Sequence, residues 1–289
     1  MERSAGEQGT LWIANADGSS PRRLAAGVYP DISPDGRWVA FLRDRALFVV
    51  SSAGGKARRL ATEINDVEWS PDSQRLAAVT DRLVVIDRDS GRRATIDRPP
   101  GRIIGFSFSP DGSQIVWART ASILAYSRSE LFRAAPTGGR RVRLTTFRNA
   151  NRPVWGPHVI AFARERDDPY TAHSLYEIWT VRPDGSRAQR LVRDRAPVAW
   201  SRDGRTLLAV VVSPAGYPPY AVDARTGAAR ELLTSSRAEV WTQTLSRDGR
   251  YALVWNDGRL VRVSTEGGRP RVLVRRGSRY VDEVADWNL

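Results

Sequence analysis

The chain has no cysteine, one methionine, two histidines (His158 and His173) and a single lysine, Lys56, in 289 residues. The lack of cysteine excludes disulfides, thiolate metal sites and a cysteine nucleophile. No Gly-x-Ser-x-Gly stretch occurs, so no serine nucleophile elbow is expected. No Asp-x-Asp-x-Asp-Gly spacing marks a calcium loop. No apolar run approaches the roughly 20 residues of a membrane-spanning helix. Residues 1–9 are polar and do not read as a signal peptide, although a chain cut from a longer one would have lost such a segment. Sustained helical periodicity is missing throughout.

Basic charge is abundant and almost entirely arginine. Lys and Arg total 45 against 32 Asp and Glu, a formal net charge of +13. Many arginines recur at equivalent places: Arg22, Arg23, Arg58, Arg59, Arg141, Arg143, Arg190, Arg230 and Arg271. On the outer strand of a sheet such charge discourages edge-to-edge pairing. No arginine run interleaves with aromatics, so no nucleic-acid surface is expected. The excess favours acidic partners at low salt.

One phrase repeats along the chain: Ser33-Pro34-Asp35-Gly36, Ser70-Pro71-Asp72-Ser73, Ser109-Pro110-Asp111-Gly112, Ser201-Arg202-Asp203-Gly204 and Ser246-Arg247-Asp248-Gly249. Each copy follows a short apolar stretch and precedes a second one, such as Trp38-Val39-Ala40-Phe41. The spacings are 37, 39, 92 and 45 residues, so a degenerate copy must fill the long gap. Trp155-Gly156-Pro157-His158 fills it. A second turn recurs at Asp17-Gly18, Gly54-Gly55, Ser90-Gly91, Gly138-Gly139, Asp184-Gly185, Thr226-Gly227 and Gly267-Gly268. Proline presets φ and glycine supplies positive φ in such turns. Four short strands, A to D, in about 40 residues are the signature of a β-propeller blade.

The expected fold is therefore all-β: a seven-bladed propeller of four-stranded antiparallel blades, with six blades as the alternative. A single domain spans 1–289, in units 29–63, 64–101, 102–149, 150–194, 195–238 and 239–279. The closing blade is shared by 1–28 and 280–289, where Trp287-Asn288 aligns with Trp69-Ser70. This blade lacks an evident strand B, so it is three-stranded or the chain is excised from a longer one.

Glu68-Trp69-Ser70-Pro71-Asp72, Leu11-Trp12-Ile13-Ala14-Asn15-Ala16-Asp17-Gly18 and Val142-Arg143-Leu144-Thr145 resemble the TolB-type, WD-repeat-like propeller repeat. The resemblance covers essentially the whole chain. It implies a bacterial binding scaffold, periplasmic or otherwise extracytoplasmic, with the cytoplasm as the alternative. It transfers no catalytic residue. Propeller domains of serine peptidases carry the same repeat.

In a blade, the A–B and C–D turns share one face, and the B–C and D–A loops share the other. The turns are short and uniform. Three successive B–C loops are long and carry the candidate partner-binding residues: Tyr126 and Arg128; Asp167, Asp168, Tyr170 and His173; Tyr217, with Tyr220 just beyond. Unequal loops on a rigid scaffold are where binding concentrates. His158 and His173 fall on opposite faces, so they form no shared metal site. Asp31, Asp66, Glu68, Glu239, Glu283 and Asp286 start or line innermost strands near the axis, where an acidic mouth would suit a cation or basic peptide. Tryptophans at repeated positions read as packing between blades. The function expected is a non-enzymatic, monomeric scaffold without cofactor or metal. It binds a protein or peptide through the long-loop face or channel. The alternative is the gating domain of a larger peptidase, or a lyase- or lactonase-like ring.

Overall fold

A computed structural model describes residues 9–121, 128–146, 148–166, 175–212, 216–234, 240–246 and 248–274. Among these, six blades of four antiparallel strands succeed one another along the chain, the sheet of the sixth carrying a fifth, parallel strand. Blade 1 comprises Val28–Ile32, Trp38–Arg43, Ala46–Ser51 and Arg58–Ala61. Blade 2 comprises Asp66–Trp69, Arg75–Val79, Leu83–Asp87 and Arg93–Asp97. Blade 3 comprises Ile103–Phe108, Ile115–Thr120, Ser129–Ala134 and Val142–Arg143. Blade 4 comprises Ala150–Trp155, Ile160–Arg166, Leu175–Val181 and Gln189–Arg193. Blade 5 comprises Ala196–Trp200, Thr206–Val210, Pro219–Asp223 and Ala229–Glu231. Blade 6 comprises Val240–Leu245, Tyr251–Asn256, Arg259–Ser264 and Arg271–Val274.

The blade count is thus six, the alternative, and not the seven expected. The remaining described strands of the expected seventh unit, Thr10–Ile13 and Arg22–Ala26, form only a two-stranded sheet. Residues 280–289, expected to complete it, lie outside the described residues. The pair sits between the first and last blades. Leu11 packs with Val39, Phe41 and Val50 of blade 1. A Cβ on Gly18 would lie 2.7 Å from the Leu273 carbonyl oxygen of blade 6. The same glycine-on-outer-strand contact joins Gly185 to Leu144 and Gly227 to Leu191, each in successive blades.

Strand B of each blade has neighbours on both faces, so its residues are apolar without alternation. Val39, Ala40, Phe41 and Leu42 are all buried. The core lies between blades. Leu47 and Leu60 of blade 1 pack with Trp69 and Leu76 of blade 2, and each later junction repeats the pattern.

The repeated phrase folds as one turn five times. In the first, Ser33 Oγ lies 2.6 Å from Asp35 Oδ1 and accepts the Trp38 N–H at 2.9 Å, while Asp35 Oδ1 accepts the Arg37 N–H at 3.0 Å. The Ser–Asp contact recurs at Ser70–Asp72, Ser109–Asp111, Ser201–Asp203 and Ser246–Asp248. Each serine is buried and each of these hydroxyls is partnered.

Candidate binding face

Innermost strands neighbour one another around the axis. Side chains on them stitch neighbouring blades together. The Trp69 indole N–H donates to the Asp31 carbonyl at 2.9 Å, and Trp200 repeats this with Val154 at 3.1 Å. Glu68 Oε1 accepts the Phe108 N–H at 3.1 Å and lies 3.5 Å from Ser107 Oγ. Ser107 Oγ accepts the Trp155 N–H at 3.2 Å.

Asp66 and Glu68 alternate along strand A of blade 2, so both project to the same side. Asp66 keeps an exposed surface and Glu68 a partial one. Protein nevertheless encloses both, as channel walls do. This desolvation pushes Glu68 up to about 8, helped by the nearby Asp66 charge and opposed by the Phe108 N–H. Desolvation likewise pushes Asp66 up to about 6. The Asp31 carbonyl is the acceptor used by Trp69. Glu239, Glu283 and Asp286 lie outside the described residues.

Of the loop candidates, Tyr126, Asp167, Asp168, Tyr170 and His173 lie outside the described residues. Arg128 is exposed just before strand C of blade 3. Tyr220 belongs to strand C of blade 5; its hydroxyl donates to Glu231 Oε2 at 3.2 Å, and the Arg195 guanidinium stacks 4.1 Å from its ring centre. Tyr217 lies in the B–C loop of blade 5, between Thr206–Val210 and Pro219–Asp223. Gly216–Tyr217 is a short strand pairing parallel with Val240–Trp241, the innermost strand of blade 6. The B–C loop of blade 5 therefore folds across the inner edge of the next blade. Gly216 permits this approach: at φ +126, a Cβ there would lie 2.6 Å from the Val240 carbonyl oxygen.

Tyr217 and Tyr176 pack against the same small core of Ala163, Ala196 and Val210. The Arg152 guanidinium lies 5.9 Å from the Tyr176 ring centre. Burial and the charge of Glu165 push the Tyr176 phenol up. Arg152, Glu165, Tyr176 and Tyr217 thus form one cluster at the junction of blades 4 and 5.

Five buried side-chain atoms among the described residues have no hydrogen-bond partner in the protein: Ser129 Oγ, Asn149 Oδ1, Asn151 Oδ1, Arg195 Nε and Asn256 Oδ1. All five stand at the start of a strand A or C, or the end of a strand B, and hence on the loop face. Each unsatisfied buried group costs about 1–3 kcal/mol. Sequence reading misses them, because an asparagine at a strand end looks like turn chemistry.

Two buried carboxylates are spent on structural contacts, Asp97 between blades 2 and 3 and Glu177 within blade 4. Asp97 accepts the Trp117 indole N–H at 2.8 Å and pairs with Arg119 at 3.2 Å and with Arg141. Glu177 accepts the Trp179 N–H at 3.1 Å and pairs with Arg166 at 3.1 Å and Arg190 at 3.3 Å. Outer-strand arginines do more than protect an edge. Arg22 donates to the Ser52 carbonyl of the next blade, and Arg58 does so to Asp89 at 3.1 Å.

Neither a family model nor a curated protein matches the sequence. Solved structures do match in shape. TolB from Acinetobacter baumannii aligns with a TM-score of 0.57 and 19% identity, over 84% of this chain and 64% of that one. The chain therefore spans 64% of that TolB chain. The β-propeller domain of the Trilobed protease from Pyrococcus furiosus aligns at 0.68 with 16% identity, covering 93% and 90%. Oligogalacturonate lyase from Vibrio parahaemolyticus aligns at 0.67 with 14% identity, covering 93% and 85%. At such identities the likeness concerns architecture. The chain has the fold of a TolB-like β-propeller.

Proposed function

We propose that this propeller is a non-enzymatic scaffold that binds a protein or peptide at its loop face, beside the channel mouth. The observation that carries this reading is the asymmetry between faces. On the turn face, five Ser–Asp networks consume their own polar groups. On the loop face, five buried polar atoms lack a protein partner. Among the described residues, the polar groups of the loop face are thus not all spent within the chain as those of the turn networks are. The cluster of Arg152, Glu165, Tyr176 and Tyr217 adds aromatic surface and a guanidinium, the residue types that anchor interfaces. The net charge of +13 favours an acidic partner. The TolB-like fold supports an extracytoplasmic setting, and among the described residues no helix is long and apolar enough to cross a membrane.

Deleting 167–172 is expected to leave cooperative thermal unfolding intact and to weaken the partner. Loss of cooperative folding would contradict a binding role for that loop. The similarity to a protease's propeller domain favours a second reading, a propeller that serves a larger enzyme. A hydrolase domain encoded in the same gene would select it.

A further inference from the structure

We propose a second site on the opposite face: the cavity between blades 4 and 5 is a saccharide pocket, lined by a tryptophan where the repeated turn is broken. The cavity measures about 620 Å³, within the range of small-ligand sites. Its wall is the degenerate copy, Gly156-Pro157-His158, and its floor includes Trp200. Gly156 occupies the position that Ser33 holds in blade 1. A Cβ there would lie 2.8–2.9 Å from the Trp200 indole, so glycine is required for the ring to lie where it does. The equivalent tryptophans Trp69 and Trp155 are 4% and 9% exposed, whereas Trp200 is only partly buried. His158 replaces the aspartate that would close the turn and is exposed.

The rest of the lining supplies both kinds of hydrogen-bonding group. Arg205 and Arg225 are exposed donors. Asp203 and Asp223 each use Oδ1 to accept N–H groups of their own turns. Their second oxygens remain as acceptors, with Asp203 Oδ2 3.8 Å from Arg205 Nε. Two guanidiniums balance two carboxylates, so the pocket does not select for ligand charge. An apolar aromatic floor with a rim of donors and acceptors matches a ring that is apolar on its C–H face and hydroxylated at its edge. A neutral saccharide has that chemistry. An inorganic anion or a plain hydrocarbon does not.

Saturation-transfer NMR on the full chain, with methyl β-glucoside, cellobiose and glucuronate as probes, tests this. The two neutral saccharides should show transfer to their ring C–H protons. Arg225→Ala alters an exposed side chain and should weaken binding about fivefold or more without shifting the thermal midpoint; Trp200→Phe should do the same to binding. Arg152→Ala, on the loop face, should leave it unchanged. Three outcomes overturn the proposal: no transfer from either neutral saccharide, binding of glucuronate alone, or undiminished binding in both pocket variants.

Discussion

Glu68 and Asp97 are enclosed carboxyls with opposite surroundings. Asp97 faces two guanidiniums and an indole N–H. Removing one partner of such a buried cluster strands the others, and Asp97→Ala is expected to cost about 3 kcal/mol in urea unfolding. Glu68 faces a backbone N–H and a neighbouring carboxyl, and it holds its proton to about 8 where an ordinary glutamate releases it near 4.5. The folded state therefore binds the extra proton between those values. Stability contributed by this group is present below about 4.5 and is lost as pH rises to about 8. Glu68→Gln mimics the protonated form. It should flatten the pH dependence of the melting temperature across this window and raise stability at pH 9 by about 1–3 kcal/mol. An unchanged pH profile would contradict the enclosure of this side chain. Ser73 shows the same logic in the backbone. It stands where other turns have glycine, at φ +61, and its Oγ accepts the Asp35 N–H from the neighbouring blade at 3.0 Å. Ser73→Gly should relieve strain yet lose that link.

At the scale of elements, the repeated turn is built on a Ser–Asp network whose hydrogen bonds are local. Ser109→Ala removes an acceptor used by the Gln114 N–H and the partner of Asp111, and should cost about 1–2 kcal/mol without altering any binding at the loop face. This locality is why the turns, the strand order and the tryptophan register were legible in the sequence. They depend on residues within a few positions of each other, repeated five times. The fold-back of Gly216–Tyr217 was not legible. It pairs with Val240–Trp241, and nothing in its own residues announces a parallel partner that far along the chain. The candidate Tyr217 therefore emerged from loop length alone, while its place at the inner edge of blade 6 came from tertiary pairing. The Asp97 and Glu177 clusters were hidden for a related reason. Their arginines come from several strands, and an abundance of arginine masks the few that are paired.

Across the whole molecule, the two faces differ in how their polar groups are spent. The turn face is regular among the described residues, with its degenerate copy at Gly156. The loop face carries the unpartnered atoms, the cluster of Arg152, Glu165, Tyr176 and Tyr217, and the mouth near Asp66. The blade count of six was open in the sequence because the closing unit is divided between the two ends of the chain; its described part is a two-stranded sheet. The central claim, that the loop face is the binding surface, is tested most directly by selecting a displayed random-peptide library on the protein. Enriched peptides are then titrated by calorimetry against wild type, the Arg152→Ala/Tyr217→Ala double variant and the Arg205→Ala/Arg225→Ala double variant. The account predicts acidic peptides whose affinity falls about tenfold or more in the loop-face variant and is unchanged in the turn-face variant. Peptides that respond only to the turn-face variant, or no enrichment over a control surface, would contradict it.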